Sequence, residues 1–290
     1  MRTLILLCMM FLAMKGAVAQ ESETVITYAA GDFRVSTLSE GGRTGQSSLL
    51  KGATPEMLQK YLPDGTFPLE VQAFFVRTPD RNILIDAGYG TNLFKNLQSI
   101  GIDENLVDII LLTHLHGDHI GGLLRDGKAA FPNAEMYLSQ AEYDYWMNQE
   151  RGDAARKMLA AYRDKLHLFV PSAVGEASSE LFAGIQAVAA YGHTPGHTAF
   201  LIRSGESKWL IWGDVTHAMP IQMPCPDVAL SFDSDPEQAI RTRKAIFEYV
   251  AQNHITVGGM HIPFPAVGDV AAGKEEGYAF TPLCLCKGIK

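Results

Sequence analysis

The run from Val107 to Gly122 constrains this chain most, because it joins an unbroken apolar segment to a dense group of metal-ligand residues. The apolar segment ends at Thr113, and its uniform hydrophobicity predicts a buried strand in a sheet covered on both faces. Four residues follow that can ligate metal: His114, His116, Asp118 and His119. Imidazole and carboxylate suit divalent zinc, iron, manganese or cobalt better than calcium or magnesium. Because the two pairs are expected to face different ways, the run predicts two metal positions.

The composition bounds the class of protein. A chain of 290 residues with 47% hydrophobic and 19% charged residues is expected to be globular, with a sizeable core. The formal net charge of −8 offers no basic surface for a nucleic-acid backbone, so an RNA or DNA substrate is not expected. Internal repeats and low-complexity linkers are absent from the sequence, which favours one folded domain.

The first 19 residues read as a signal peptide. Arg2 is followed by an apolar stretch from Leu4 to Met14, and Ala17-Val18-Ala19 has the small-x-small pattern of a cleavage site. The apolar stretch is short for a membrane span, although an uncleaved anchor is the alternative. We therefore expect cleavage after Ala19, a mature domain over residues 20–290, export to a periplasm, and no stable membrane anchor afterwards.

Three cysteines remain in that mature chain: Cys225, Cys284 and Cys286. An odd number gives no complete disulfide framework. Cys284 and Cys286 are too close in sequence for an easy mutual bridge. One of them can pair with Cys225, or all three can be free thiols, and both alternatives stay open.

The remaining pattern alternates strands and helices. A hairpin is predicted around the Pro79-Asp80-Arg81 turn, and the glycine-rich stretch 41–45 is predicted to be a turn or loop. Ser139 is predicted to cap a helix, with Glu142 in the capping-box position. Further helices are expected over 55–60, 94–102, 151–165 and 236–250.

More ligand-type residues follow other predicted strands. They are His197, Asp214 and His261, each at the edge of a strand predicted within 185–190, 198–203, 208–212 or 255–259. Separate strand ends commonly converge on one rim to build a site. We therefore expect these three side chains to join the cluster that follows Thr113.

Together these residues resemble the His-x-His-x-Asp-His signature of the metallo-β-lactamase superfamily. The Thr194-Pro195-Gly196-His197 segment resembles its third histidine signature, and Asp214 its bridging aspartate. The resemblance covers the whole mature chain in order and spacing. It implies an α/β protein with the metallo-β-lactamase fold, an αββα sandwich of two mixed sheets flanked by helices.

The resemblance also implies two divalent ions per chain, zinc first, with manganese, iron or cobalt as alternatives. The first ion is expected on His114, His116 and His197. The second is expected on Asp118, His119 and His261, and Asp214 is expected to bridge the two. Two other residues have lesser implied roles: Asp86 supports the ligands from behind, and His193 is a hydrogen-bonded neighbour rather than a ligand.

A narrower resemblance is to the branch that contains methyl parathion hydrolase and its lactonase-like and esterase-like relatives. It rests on the segments 215–217, 232–235 and 259–265. In acyl-lactone hydrolases of the superfamily a tyrosine lies three residues beyond the bridging aspartate and helps to polarise the carbonyl. This chain has His217 there, which implies either a role in the substrate pocket or a packing histidine. It also has Glu40 where that branch is expected to have aspartate.

The chemistry that follows is metal-assisted hydrolysis of a small molecule: an ester, a lactone or a phosphotriester. Two neighbouring divalent ions lower the pKa of a bridging water to near neutrality and so supply hydroxide in place. Asp118 is the candidate that accepts or relays a proton, and His217 is the second candidate catalytic residue. A homodimer is a further alternative for the assembly.

Several rival functions share the expected fold. A one-cysteine β-lactamase would have cysteine in place of Asp214 and would lack His119. A flavodiiron enzyme would have glutamate in place of His116, and an RNA-processing enzyme would need more basic surface. A glyoxalase-II-like thioesterase uses nearly the same ligands and stays open, although the signal peptide argues against it. A non-catalytic scaffold usually lacks ligands, and every expected ligand is present here.

Overall fold

The computed structural model describes residues 23–176 and 180–283. The predicted signal peptide, Cys284 and Cys286 lie outside these residues. The described strands are β1 (Val25–Ala30), β2 (Phe33–Gln46), β3 (Leu50–Lys51), β4 (Thr66–Arg77), β5 (Asn82–Ile85), β6 (Ile109–Leu111), β7 (Leu124–Arg125), β8 (Lys128–Ala129), β9 (Glu135–Ser139), β10 (Leu166–Phe169), β11 (Ile185–Ala189), β12 (Thr198–Ser204), β13 (Ser207–Ile211), β14 (Ala229–Leu230), β15 (Thr256–Gly258), β16 (Val267–Ala272) and β17 (Tyr278–Pro282). The α-helices within the same ranges are α1 (Pro55–Tyr61), α2 (Leu93–Ser99), α3 (Gly117–Ile120), α4 (Gln140–Asn148), α5 (Asp153–Ala161), α6 (Met219–Gln222) and α7 (Pro236–Gln252).

Two mixed sheets form the centre of the molecule, as the sequence predicts. The first has seven strands in the order β1-β2-β4-β5-β6-β9-β10, and the second has six in the order β11-β12-β13-β15-β16-β17. The first sheet is antiparallel from β1 to β5 and parallel from β5 to β10. In the second sheet the β13–β15 pair is parallel and the other pairs are antiparallel.

The alternation of side chains explains why both faces of the first sheet are covered. Along β5, Ile83 and Ile85 belong to the core between the two sheets, whereas Leu84 faces the core shared with α2 and α5. Consecutive strand residues point to opposite faces, so a continuous apolar run buries both. In β6, Ile110 likewise belongs to the outer core and its two neighbours to the inner one. The αββα arrangement follows, with α7 packed against the second sheet.

The prediction of a turn at residues 41–45 is wrong. This segment continues β2, which pairs with β4 as far as Gln46 and Thr66, after a register shift between Ser39 and Gly41. The glycines suit the pairing, because a Cβ on Gly45 would lie 2.5 Å from the ring of Phe67. We call this extension the β2–β4 arm, defined as residues 41–46 and 66–71.

The structure confirms the hairpin before Asn82, and α1, α4, α5 and α7 lie where helices are predicted. Asp235 caps α7, since its carboxylate accepts a hydrogen bond from the Gln238 amide at 2.9 Å. Cys225 is a buried free thiol. Within the described ranges, no helix is both long enough and apolar enough to span a bilayer.

Candidate metal centre

The ends of strands from both sheets bring ligand atoms together in two adjoining groups, and Asp214, His217 and His261 form a third that overlaps both. Within each group all the ligand atoms lie within 4.8 Å of one another. The first group consists of His114, His116, His193 and Asp214. The second group consists of Asp118, His119 and His261. His114 to His119 follow β6 of the first sheet, while His193, Asp214 and His261 come from loops around β12, β13 and β15 of the second.

Asp214 lies between the two groups and contacts both. Its Oδ2 atom is 3.2 Å from His193 Nε2 and 3.1 Å from His261 Nε2. Its Oδ1 atom is 3.2 Å from His119 Nε2. A carboxylate in this position can serve two cations with its two oxygens, and the bridging role of Asp214 stays a prediction.

The hydrogen bonds of Asp86 fix which nitrogen of two histidines is free. Thr113 Oγ1 donates to Asp86 Oδ2 at 2.6 Å, so this hydroxyl can only accept from His114 Nδ1, 3.0 Å away. Asp86 Oδ2 also accepts from His119 Nδ1 at 2.7 Å. Both rings therefore carry a proton on Nδ1 and turn Nε2 toward Asp214. The supporting role expected for Asp86 agrees with these contacts.

Hydrogen bonds to the outer ring nitrogen also orient two histidines that follow strands of the second sheet. His193 Nδ1 donates to the carboxylate of Asp233 at 2.9 Å, and His261 Nδ1 donates to the carbonyl of Glu70 at 2.6 Å. Each ring then presents Nε2 to the centre. An outer partner that holds the far nitrogen is the usual arrangement around metal-binding histidines.

The ring nitrogens that face the centre test whether a cation fits the site. His116 Nδ1 lies 2.9 Å from His114 Nε2 and 3.0 Å from His193 Nε2, so three basic nitrogens face one another. His119 Nε2 and Asp214 Oδ1 are buried 3.2 Å apart, and neither makes a well-aligned hydrogen bond among the described residues. Buried polar atoms without partners are costly. Divalent ions would satisfy all of these atoms, and the donor set is that of zinc and similar metals.

The electrostatics of the centre divide the rings into two sets. Burial alone would lower the pKa of His193 and of His119, but Asp214 and the carboxylates behind these rings outweigh it and raise the pKa of His193 to about 9 and that of His119 well above its usual value. Burial lowers the pKa of His116 and that of His197 to about 3, with the charge of His193 as the next cause for both. Burial alone would raise the pKa of Asp214, but the neighbouring histidines, first His119, hold it well below its usual range. A neutral imidazole and an ionised carboxylate are the forms that bind metal.

His197 is in none of the groups of ligand atoms, contrary to the prediction from the sequence. Its Nδ1 donates to the Ala190 carbonyl at 2.8 Å, and its Nε2 accepts from the Asp214 amide at 3.0 Å. Because both nitrogens are used inside the protein, the structure corrects the assignment of His197 as the third histidine. His193, from the same turn, takes the place beside His114 and His116. The expectation that His193 is only a hydrogen-bonded neighbour is corrected with it.

His217 lies against the second group and lines the substrate cavity. Its ring stacks on His261 with 4.5 Å between centroids, and its Nε2 is 3.1 Å from Asp214 Oδ2. Burial lowers the pKa of His217 to about 4. The cavity above the centre has a volume of about 510 Å³. Its lining includes Glu40, Arg43, Leu69, Val71, Tyr89, His116, Asp118, Asp214, His217, Phe232 and His261.

Two carboxylates near the centre were not identified as functional by the sequence pattern. Asp233 lies in a segment that supports the family resemblance, yet only the structure shows that it faces His193. Glu142 does not close a capping box, since its carboxylate accepts hydrogen bonds from Leu115, Trp146, Thr194 and Gly196. Ser139 does cap α4, as predicted. A polar residue at a buried helix position was the one available signal for Glu142.

Comparison with known proteins agrees with this geometry. The model of the metallo-beta-lactamase superfamily matches residues 66–251. Ribonuclease Z of Clostridioides difficile is 44% identical over 54 residues, which cover 19% of this chain and 17% of the relative. An N-acyl homoserine lactonase of Bacillus cereus is 24% identical over 176 residues, 50% of this chain and 63% of the relative. The chain thus matches less than a fifth of the ribonuclease and less than two thirds of the lactonase.

Two solved structures resemble nearly the whole chain. The hydrolase AbOPH of the beta lactamase superfamily has a TM-score of 0.79 and 27% identity, covering 91% of this chain and 99% of its own. AidC, a dizinc quorum-quenching lactonase in complex with the product N-hexanoyl-L-homoserine, has a TM-score of 0.80 and 25% identity. That match covers 90% of this chain and 98% of AidC.

Proposed function

The chain belongs to the metallo-β-lactamase superfamily, and on this premise we propose that it hydrolyses an ester, lactone or phosphotriester bond with two divalent metal ions. The observation that carries the proposal is the position of Asp214 between two groups of ligand atoms. The likeness to a dizinc lactonase and to a hydrolase of the same superfamily supports zinc and this class of substrate.

The proposed ligands of one ion are His114, His116 and His193, and those of the other are Asp118, His119 and His261, with Asp214 shared. When bound, the two ions lower the pKa of a water molecule and polarise the bond that it attacks.

The chain's own residues would orient the substrate and move the proton. Asp118 has a side chain that is 23% exposed and lines the cavity, so it is the proposed proton acceptor. His217 is the second proposed catalytic residue, because it lines the cavity and hydrogen bonds the shared carboxylate. Leu69, Val71 and Phe232 give the cavity apolar walls, which suits a small organic substrate.

Metal content tests the site and a substrate panel tests the reaction. Elemental analysis of the purified protein should give about two ions per chain, and His119→Ala should remove about one. A single ion, unchanged in that variant, would contradict the two-ion site. The panel should contain 4-nitrophenyl acetate, γ- and δ-lactones, a paraoxon-type triester, nitrocefin and lactoylglutathione. Turnover of nitrocefin or lactoylglutathione alone would replace the proposal by a β-lactamase or a glyoxalase-II-like thioesterase.

We also propose that the protein is exported, with cleavage after Ala19 and no stable membrane anchor in the mature form. The apolar segment and the Ala17-Val18-Ala19 pattern support this. Intact mass and N-terminal sequencing of protein from a periplasmic extract should give a chain that begins at Gln20. A retained N-terminus in the membrane fraction would contradict export as a free domain. Size-exclusion chromatography of the same sample tests whether the protein is a monomer or the alternative homodimer.

A further inference from the structure

His116 differs from the other proposed histidine ligands in how its ring is held. His114, His119, His193 and His261 each have their outer nitrogen hydrogen bonded within the protein. Among the described residues, none hydrogen bonds the outer nitrogen of His116, and its ring is partly exposed. Its orientation must therefore depend on its backbone and on ring packing.

Glu142 acts on both of these constraints, the backbone before His116 and the ring that packs against it. The Leu115 amide, immediately before His116, donates to Glu142 Oε1 at 3.1 Å. The Trp146 indole donates to the same oxygen at 2.6 Å, and its ring meets the edge of His116 with 5.5 Å between centroids and 89° between planes. Glu142 thus fixes the backbone on one side of His116 and the aromatic wall on the other.

The second oxygen of Glu142 holds the turn that carries His193. Thr194 Oγ1 donates to Glu142 Oε2 at 2.6 Å, and the Gly196 amide donates to it at 3.0 Å. The side chain of Glu142 is completely buried, and Ser139 Oγ closes the same junction by donating to the Gly196 carbonyl at 2.7 Å. A Cβ on Gly196 would lie 2.0 Å from the Glu142 amide, so the turn packs directly on α4.

We infer that Glu142 is the positioning residue for the His116–His193 half of the metal centre, joining two loops from different sheets to one carboxylate. Four protein donors face its two oxygens, which requires an acceptor at all four contacts. A carboxylate has lone pairs for all four bonds. The inference rests on the proposed metal site, and it predicts that Glu142 acts on one ion and not on the other.

The substitution Glu142→Gln tests this, because it keeps the shape and places an amide NH₂ against two of the four donors. It should be measured in two backgrounds that each retain one site. In His119→Ala, which retains the first site, we expect the affinity for cobalt(II) to fall about 10- to 100-fold and the absorption bands of bound cobalt(II) to shift. In His193→Ala, which retains the second site, we expect Glu142→Gln to leave cobalt(II) affinity within about twofold.

Two controls separate positioning from general destabilisation. Leu97→Ala in α2 removes a buried side chain of the outer core, so it should lower the melting temperature without changing cobalt(II) affinity in either background. Asp86→Asn is the unselective comparison and should weaken cobalt(II) binding more than twofold in both backgrounds, because Asp86 orients His119 directly and His114 through Thr113. If Glu142→Gln does not fold, Thr194→Val and Trp146→Phe each remove one donor and should weaken the first site selectively.

Equal losses of affinity in the two backgrounds, or no loss in either, would overturn the inference and leave Glu142 a structural residue. Absence of cobalt(II) binding by the unmodified protein would instead overturn the metal site of the proposed function. The affinity measurement does not depend on activity, so these two failures are distinct.

Discussion

At the scale of single residues, one histidine turn decides which ring reaches the centre. The segment from Gly192 to His197 contains two histidines four residues apart, and either of them can follow a strand end. Sequence spacing does not show which ring points into the cavity. The structure separates them by their contacts, because the Nε2 of His193 faces His116 and Asp214, whereas both nitrogens of His197 are held by backbone groups.

This difference gives a prediction for two matched substitutions. His193→Ala should remove about one of two metal ions and lower kcat/KM at least about 100-fold, because it deletes a proposed ligand. His197→Ala should keep about two ions, yet lower the free energy of unfolding by about 1–3 kcal/mol, because the Asp214 amide and the Ala190 carbonyl lose buried partners. Elemental analysis and urea titration measure both. The reverse pattern of metal loss would restore His197 as the ligand.

A glycine beside Asp214 gives a second prediction. Gly213 has φ +62°, and a Cβ there would lie 2.3 Å from His197 Nε2. Gly213→Ala should therefore cost more than about 3 kcal/mol in unfolding free energy, by backbone strain and by collision with a buried ring. Gly205→Ala is the control, since Gly205 has φ +57° with open space around it and should cost only about 1 kcal/mol. Similar losses in urea unfolding for the two variants would contradict the role of the collision.

At the scale of elements, periodicity predicts the buried strands and capped helices well. The β5 and β6 strands are continuous apolar runs, and α7 begins with Asp235 and Pro236, which are strong local signals. The sequence pattern does not indicate the β2–β4 arm, because its glycines suggest a turn. These glycines pack against Phe67 and Glu70, which are distant in sequence. Local patterns contain no information about the partner strand.

Helix α7 also secures the loop that follows Asp214, through one buried arginine. Arg243 donates to the carbonyls of Val215, Pro226 and Val228 at 2.8–2.9 Å. Arg243→Lys should lower the free energy of unfolding by about 2–4 kcal/mol, because a single ammonium cannot reach three carbonyls in this fork. Arg241→Lys, on the exposed side of the same helix, should change it by less than about 0.5 kcal/mol. Equal losses of unfolding free energy for the two variants in urea titration would contradict this role of Arg243.

At the scale of the whole molecule, the family pattern predicts the sandwich, and most of the residues that it names as ligands lie together at the centre. The positions of Asp233 and Glu142 behind those ligands depend on how the two sheets pack, and no short motif specifies that packing. The first proposed ion takes His114 and His116 from the first sheet and His193 and Asp214 from the second. Metal binding should therefore stabilise the contact between the two sheets.

Metal removal tests this coupling. Dialysis against a chelator should lower the free energy of unfolding by about 4 kcal/mol when the free zinc it replaces is about a thousand times its dissociation constant. Thermal melting followed by circular dichroism measures the change, and added zinc should restore the original melting temperature. An unchanged melting temperature, after elemental analysis has verified loss of metal, would mean that the ions do not couple the sheets.

The β2–β4 arm has a consequence for how proteins of this design diversify. Gly41, Arg43, Leu69 and Val71 form part of the cavity wall, yet every proposed metal ligand lies outside the arm. Part of the cavity wall is thus encoded apart from the proposed ligands, except at Glu70, whose carbonyl holds His261. Substitutions at Arg43, Leu69 and Val71 can change which compound enters without replacing a proposed ligand, so laboratory evolution of new selectivity should begin there.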